Sequence, residues 1–327
     1  MREDAMAGVT KVAVLDDYLG IVPHYGDWAG LGPEVETVFF REHLASVEAA
    51  AAALAPFHAL SLMRERMPLP KALIDRLPNL KLVVTTGGKN RSIDVDACKA
   101  RGIVVCGTRS HDPAPTIDVA WGLILSAARN LHREDALMRR GGWQEKIGFT
   151  LHGKTLGVIG LGNLGKRMAV VGRAFGMEVI AWSQNLTAER AAEAGVTRVD
   201  KDELLGRADV MTIHLVLSER TRGLIGAREF ALMKPTAILA NTSRGPIIEE
   251  AALLQALRDR RIHAACLDVY DVEPLPGDHP LRSMDNAVLS PHLGYATQGN
   301  FRGYFADTIE AIAAWRAGRP VPRRIDE

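Results

Sequence analysis

Three polar side chains stand in short, strongly patterned segments of the sequence: Arg244 in NTSRGP, Glu273 in DVYDVEP and His292 in LSPHLG. Each follows a short apolar run that reads as a β-strand. This places all three at the carboxyl edge of a sheet, where α/β proteins bind ligands. A guanidinium, a carboxylate and an imidazole together suit proton exchange with a carbonyl or hydroxyl on a carboxylate-bearing substrate. Arg244 would bind the carboxylate through two parallel N–H groups and polarise the neighbouring carbonyl. His292 would supply or remove the proton, and Glu273 would hydrogen-bond, orient and tune the imidazole. Singly, a turn arginine, a loop glutamate and a surface histidine are commonplace. Their combination is what points to a site.

A second chemical signal lies upstream, in KTLGVIGLGNLGKRM. An apolar run ends in Gly160-x-Gly162-x-x-Gly165 and continues as a helical pattern. The first glycine permits a tight turn, the second admits a pyrophosphate against the backbone, and the third packs helix on strand. Asn163 and Leu164 would open the helix whose free N–H groups and positive dipole end face the phosphates. About twenty residues on, where NAD-preferring nucleotide domains carry an acidic residue, the sequence reads WSQNLT. Ser183, Gln184 and Asn185 would hydrogen-bond the ribose hydroxyls, and the nearest basic residue is Arg190. NAD is therefore expected, with NADP not excluded. His214, at the end of another apolar run, and Thr242, beside Arg244, fall on the cofactor side.

The elements that must position these groups alternate. Strands are expected at Val12–Leu15, Val35–Phe39, Ala59–Leu62, Leu82–Thr85 and Val104–Val105. A second series covers Thr155–Ile159, Glu178–Trp182, Val210–His214, Ala237–Asn241, Ala264–Asp268 and Ala287–Leu289. Helical patterns at Ser46–Leu54, Lys71–Leu77, Lys166–Phe175 and Glu249–Arg258 lie between them. Such alternation with continuous apolar strands predicts two doubly wound parallel α/β sheets. A long helical pattern from Thr116 to about Arg140 joins the two series, and another, Thr297–Ala317, closes the chain. The expected division is residues 1–110 plus 297–327 as a discontinuous substrate domain, and 111–296 as the nucleotide-binding domain.

The 327 residues suit two domains of roughly 100–200 residues each. Forty basic against thirty-nine acidic residues leave no surplus to neutralise nucleic acid. Three scattered cysteines (Cys98, Cys106, Cys266) predict free thiols rather than disulfides or a zinc site. The N-terminus lacks the apolar stretch of a signal peptide, and no segment is long and apolar enough to span a bilayer. The expectation is a cytoplasmic protein with no membrane or nucleic-acid partner. The remaining histidines show no metal-ligand spacing, so no metal is expected.

The ordered motifs Gly160-x-Gly162-x-x-Gly165, NTSRG, LDVYDVEP and PHLG resemble the D-isomer-specific 2-hydroxyacid dehydrogenases. HLVLSERTRGLIGAREFALMKP and VDACKARGIVV extend the likeness to nearly the whole chain. The resemblance implies a flavodoxin-like substrate domain, a Rossmann nucleotide domain, an active site in the cleft and a homodimer. It implies hydride transfer between NAD(P) and C2 of a small 2-hydroxy or 2-oxo acid, with Arg244, Glu273 and His292 catalytic. It also places Asp268 against the nicotinamide carboxamide. The same architecture and triad occur in corepressors that act through NAD(H)-driven assembly, so a sensing protein with little turnover is the alternative. The stretch after the closing helix is short, so no regulatory domain is expected.

The sequence departs from the family pattern in the substrate loop, TTGGKNRSID. Gly87 and Gly88 keep the turn that would hold the substrate carboxylate, while Lys89 takes a place usually glycine. Lys89 or Arg91 could reach a second polar or anionic group, and Arg64, at the end of another strand, could face the substrate too. In RSHDPAPTID, Ser110 and His111 read as loop residues, and Thr116 or Asp112 as a helix cap.

Overall fold

A computed structural model describes residues 8–109 and 112–326; Ser110 and His111 lie outside the described residues. The chain divides into two compact units, Met1–Asp112 with Thr297–Glu327, and Pro113–Ala296. The first holds strands β1 (Thr10–Val14), β2 (Val35–Phe39), β3 (Ala59–Leu62), β4 (Leu82–Thr85) and β5 (Val104–Gly107). All pair in parallel, in the order β2-β1-β3-β4-β5. β3 and β4 are buried along their whole length, as expected of parallel strands covered on both faces.

The second unit contains β6 (Thr155–Ile159), β7 (Glu178–Trp182), β8 (Thr197–Arg198), β9 (Val210–Ile213), β10 (Ile238–Asn241), β11 (Ala264–Leu267) and β12 (Ala287–Leu289). Their order is β12-β11-β10-β9-β6-β7-β8, again all parallel. Period-2 alternation sends Val158, Ala240 and Cys266 into the core on one face of this sheet. Ile159, Leu239 and Leu267 enter the core on the other. Each large apolar side chain so buried contributes roughly 1.5–3 kcal/mol. These two sheets are the pair expected from the alternating pattern. β8 was not expected: it is a two-residue exposed edge strand with no apolar pattern to reveal it.

Two local expectations need correction. The helix expected from Thr116 to about Arg140 is two helices, Ala114–Arg129 and Leu131–Arg139. Asn130 separates them at φ 54°, ψ 27°, a left-handed conformation that asparagine tolerates better than most residues. Neither Thr116 nor Asp112 is the N-cap of the first; Pro113 is, and it has no side-chain acceptor. Thr116 instead donates its hydroxyl to the Gly294 carbonyl at 2.7 Å. The closing helix, Gln298–Arg316, is capped by the Thr297 hydroxyl.

All three cysteines are buried free thiols. Burial pushes Cys98 up to about 11 and Cys106 up to about 12, so neither is thiolate at neutral pH. Among the described residues, no helix is long and apolar enough to cross a membrane.

Candidate active site

β6 leads straight into the glycine turn. Gly160 takes φ 101°, and a Cβ there would lie 2.6 Å from the His214 carbonyl oxygen, so only glycine fits. A Cβ on Gly165 would collide with the Gly160 carbonyl oxygen, which is why helix and strand can close together. Gly162 is the opposite case: a Cβ would meet nothing within 4 Å. The helix Asn163–Ala174 starts here, with Gly162 as N-cap and no side chain on its first N–H groups. An open backbone surface at a helix start fits a pyrophosphate.

Two neighbouring groups fit the rest of a dinucleotide. Thr242, just past β10, has a buried hydroxyl without a hydrogen-bond partner. His214, just past β9, has Nε2 2.8 Å from the Thr212 hydroxyl and a buried Nδ1 with no partner. Burial pushes its imidazole down to about 4, so it is neutral at physiological pH. Past β7, Ser183 is half-buried while Gln184 and Asn185 are exposed. No carboxylate stands at that strand end.

The loops after β10, β11 and β12 carry the three polar residues. Asn241 braces the first: its Oδ1 accepts the Ser243 N–H at 3.0 Å, and its Nδ2 donates to the Arg244 carbonyl at 2.9 Å. The Ser243 hydroxyl donates to Ile213 at 2.7 Å, tying this loop to β9. Arg244, half-buried, is held partly by a 2.7 Å bond from its Nη1 to the Ser243 carbonyl. The next residue, Gly245, packs so closely on the Tyr270–Asp271 peptide that a Cβ would fall 2.5 Å from the Asp271 nitrogen.

Tyr270 then links the other two loops. Its N–H donates to Glu273 Oε1 at 3.0 Å, and its hydroxyl donates to the Ser290 carbonyl at 2.9 Å. Glu273 Oε2 meets His292 Nδ1 at 2.5 Å. His292 itself has φ 57°, a strained backbone that must be held from outside. Asp268 does the holding. It is 1% exposed, and it accepts the Leu293 N–H at 2.7 Å, the Gly294 N–H at 2.9 Å and the Ser290 hydroxyl. Burial raises its carboxyl above the usual range despite these bonds. Both Asp268 oxygens thus engage the His292 loop, a task the sequence did not suggest. Tyr270 and Ser290 were missed as well: a buried tyrosine and a strand-end serine carry no signal of their own.

In the first unit, Gly87 and Gly88 follow β4. Gly87 takes φ 93° and donates its N–H to the Thr108 hydroxyl at 2.8 Å. Its N–H is therefore engaged within the protein, whereas the Gly88 and Lys89 N–H groups find no acceptor among the described residues. Arg64 has φ 52° and donates its own N–H to the Thr86 hydroxyl at 3.0 Å. Its guanidinium lies over Gly87, where a Cβ would be 3.1 Å from Nη1, and its charge partly offsets the rise that burial gives the Tyr304 phenol. Buried Asn90 donates to Arg64 and Thr85 and accepts from Ser92, so it is a brace for this loop. Lys89 is exposed. Among the described residues, no three His, Cys, Asp or Glu side chains gather as metal ligands.

Residues 121–294 match a family model described as "D-isomer specific 2-hydroxyacid dehydrogenase, NAD binding domain". A glyoxylate reductase of Aeropyrum pernix is 37% identical over 263 residues, covering 78% of each chain. A D-3-phosphoglycerate dehydrogenase of Archaeoglobus fulgidus is 37% identical over 299 residues, 91% of this chain but 55% of the relative. The chain thus spans about half the length of that dehydrogenase. Among solved structures, a putative D-3-phosphoglycerate dehydrogenase oxidoreductase from Ralstonia solanacearum superposes with TM-score 0.90 at 34% identity. That match covers 97% of this chain and 96% of the other.

Proposed function

Because this chain belongs to the D-isomer-specific 2-hydroxyacid dehydrogenase family, we propose that it interconverts a small 2-hydroxy acid and its 2-oxo acid with His292, Glu273 and Arg244 as the catalytic residues. The observation that carries this reading is the 2.5 Å Glu273–His292 contact, with His292 clamped in a left-handed conformation by its loop. Bound NADH supplies the hydride to C2 of the 2-oxo acid. Glu273 fixes the imidazole through Nδ1, so Nε2 is the atom that delivers the proton to the forming alkoxide. Arg244 binds the substrate carboxylate and stabilises negative charge on the adjacent oxygen. In the oxidative direction neutral His292 takes the hydroxyl proton.

Gly160, Gly162, Asn163, Leu164 and Gly165 would hold the pyrophosphate, and Ser183 with Gln184 the adenosine ribose. Thr242, His214 and Asp268 belong to the nicotinamide half, Asp268 acting mainly through the loop it braces. NAD is the cofactor, with NADP tolerated because no carboxylate at Ser183 repels a 2′-phosphate. The second unit is the nucleotide domain. The first is the substrate domain, where the free Gly88 and Lys89 N–H groups beside Gly87 and Arg64 suit a carboxylate. A homodimer is consistent with the exposed apolar side chains Trp143 (78%) and Ile147 (95%).

The test is initial-rate oxidation of NADH and NADPH against glyoxylate, hydroxypyruvate, pyruvate, branched and aromatic 2-oxo acids and phosphohydroxypyruvate. Turnover of one class supports the reading. Tight NADH binding with only feeble turnover across the panel overturns it in favour of the sensing protein.

A further inference from the structure

Glu273 opens a stretch with little backbone bonding of its own. The sequence from Glu273 reads EPLPGD, and its two prolines have no N–H to donate. Across residues 274–277 one backbone–backbone hydrogen bond forms among the described residues, from the His279 N–H to the Pro276 carbonyl at 3.2 Å. Pro274, Pro276 and Gly277 are exposed, while the Leu275 side chain packs on the core. The stretch is nonetheless stiff. Each proline fixes its own φ and confines the residue before it, Glu273 or Leu275, to extended conformations. Whatever grips the far end of such a rod sets the direction in which Glu273 leaves the near end.

Arg282 grips the far end. Its Nε donates to the Pro276 carbonyl at 2.8 Å and its Nη2 to the Leu275 carbonyl at 2.7 Å, a planar fork on two successive carbonyls. The arginine itself stands on an anchored segment. The short 3-10 turn Pro280–Ser283 buries Leu281 in the core, and His279 caps it by accepting the Leu281 N–H on Nδ1 at 3.3 Å. His279 Nε2 in turn lies 3.3 Å from Glu250 Oε2, on the helix Glu250–Arg258. Arg282 is also near enough to Tyr270 for its charge to oppose the rise that burial gives the phenol. Tyr270 holds the Glu273 carboxylate through its N–H, so Glu273 is fixed from both sides.

We propose that Arg282 is a positioning residue: through the Leu275 and Pro276 carbonyls it aims Glu273 at His292 Nδ1. It acts through the backbone of the rod and not through contact with reacting atoms. This inference rests on the reading of Glu273 and His292 as catalytic.

The experiment is a double-mutant cycle of Arg282→Met with Glu273→Gln, read by kcat and KM for the best 2-oxo acid. Methionine keeps most of the side chain's length and removes its donors. Alone, Arg282→Met should lower kcat about five- to tenfold, with KM and NADH affinity within about twofold of wild type. In the Glu273→Gln background it should cost less than about twofold, because the carboxylate it aims is already gone. Arg282→Lys reaches one carbonyl but cannot fork, so its loss should fall between. A thermal melt accompanies each variant, and if Arg282→Met melts early, Arg282→Lys carries the cycle. An Arg282→Met enzyme within about twofold of wild type in kcat, where Glu273→Gln is severely impaired, overturns this role and leaves the catalytic reading intact. So does an equal loss in both backgrounds, or a loss confined to KM. If Glu273→Gln leaves kcat unchanged, or no 2-oxo acid turns over, the catalytic reading fails and Arg282 has nothing to position.

Discussion

Gly245→Ala tests whether backbone contact between two loops sets the catalytic geometry. The glycine follows Arg244 and rests on the peptide between Tyr270 and Asp271, whose N–H and hydroxyl partners lead on to Glu273 and the His292 loop. An added Cβ would fall 2.5 Å from the Asp271 nitrogen and closer still to the Tyr270 carbonyl. Ordinary contact is about 3.5 Å. The obstructing atoms are backbone, with no flexible side chain to turn aside, so the two loops must separate by about 1 Å. Misplacement of that size costs about a hundredfold in rate, or about 2.7 kcal/mol of transition-state stabilisation. The phosphate turn shares no atom with this contact, so NADH affinity should stay within about threefold, a shift of under 1 kcal/mol. Steady-state kinetics with the best 2-oxo acid, NADH fluorescence titration and a thermal melt measure the three quantities. Gly206→Ala is the control: it lies in the helix Lys201–Arg207 with only an ordinary 3.9 Å neighbour, and should stabilise by up to about 1 kcal/mol. A Gly245→Ala enzyme within fivefold of wild type in kcat/KM would refute the argument that this contact holds Arg244 in register with the Glu273–His292 pair.

Glu273→Gln keeps a side chain of the same shape but removes the charge beside His292. It should lower kcat by about 10²-fold or more with NADH binding retained, and unchanged kcat would remove Glu273 from the mechanism. Tyr270→Phe deletes the hydroxyl bonds to Leu267 and Ser290. At about 1 kcal/mol for a lost bond, kcat should fall about fivefold with KM nearly constant; an equal rise in KM would mean a substrate contact instead. His214 makes stability pH-dependent. Its folded pKa of about 4 lies below the unfolded 6.5, so the unfolded chain alone takes up a proton as pH falls between them. Stability is therefore full above pH 6.5 and declines towards pH 4, by up to about 3 kcal/mol at 1.36 kcal/mol per unit. Urea titrations at pH 7.5 and 4.5 should show this loss in the wild type and a smaller one in His214→Asn.

What the sequence determined by itself is local chemistry and local periodicity. The spacing Gly160-x-Gly162-x-x-Gly165 required a strand before it and a helix after it, because the left-handed turn at Gly160 and the collision a Cβ on Gly165 would make with the Gly160 carbonyl are decided within a few residues. Continuous apolar runs announced buried parallel strands, since a strand covered on both faces has no polar side to show. Only the tertiary structure decided the contacts among residues far apart in the chain. Asp268 reads as a cofactor ligand by its place in LDV, yet its oxygens bind N–H groups 25 and 26 residues later. The break at Asn130 is invisible in a helical pattern that continues on both sides of it. Asp16 and His43 lie 27 residues apart in loops without any motif. They become a pair because β1 and β2 are adjacent and parallel, so the strand order brings together side chains that sequence spacing leaves unrelated.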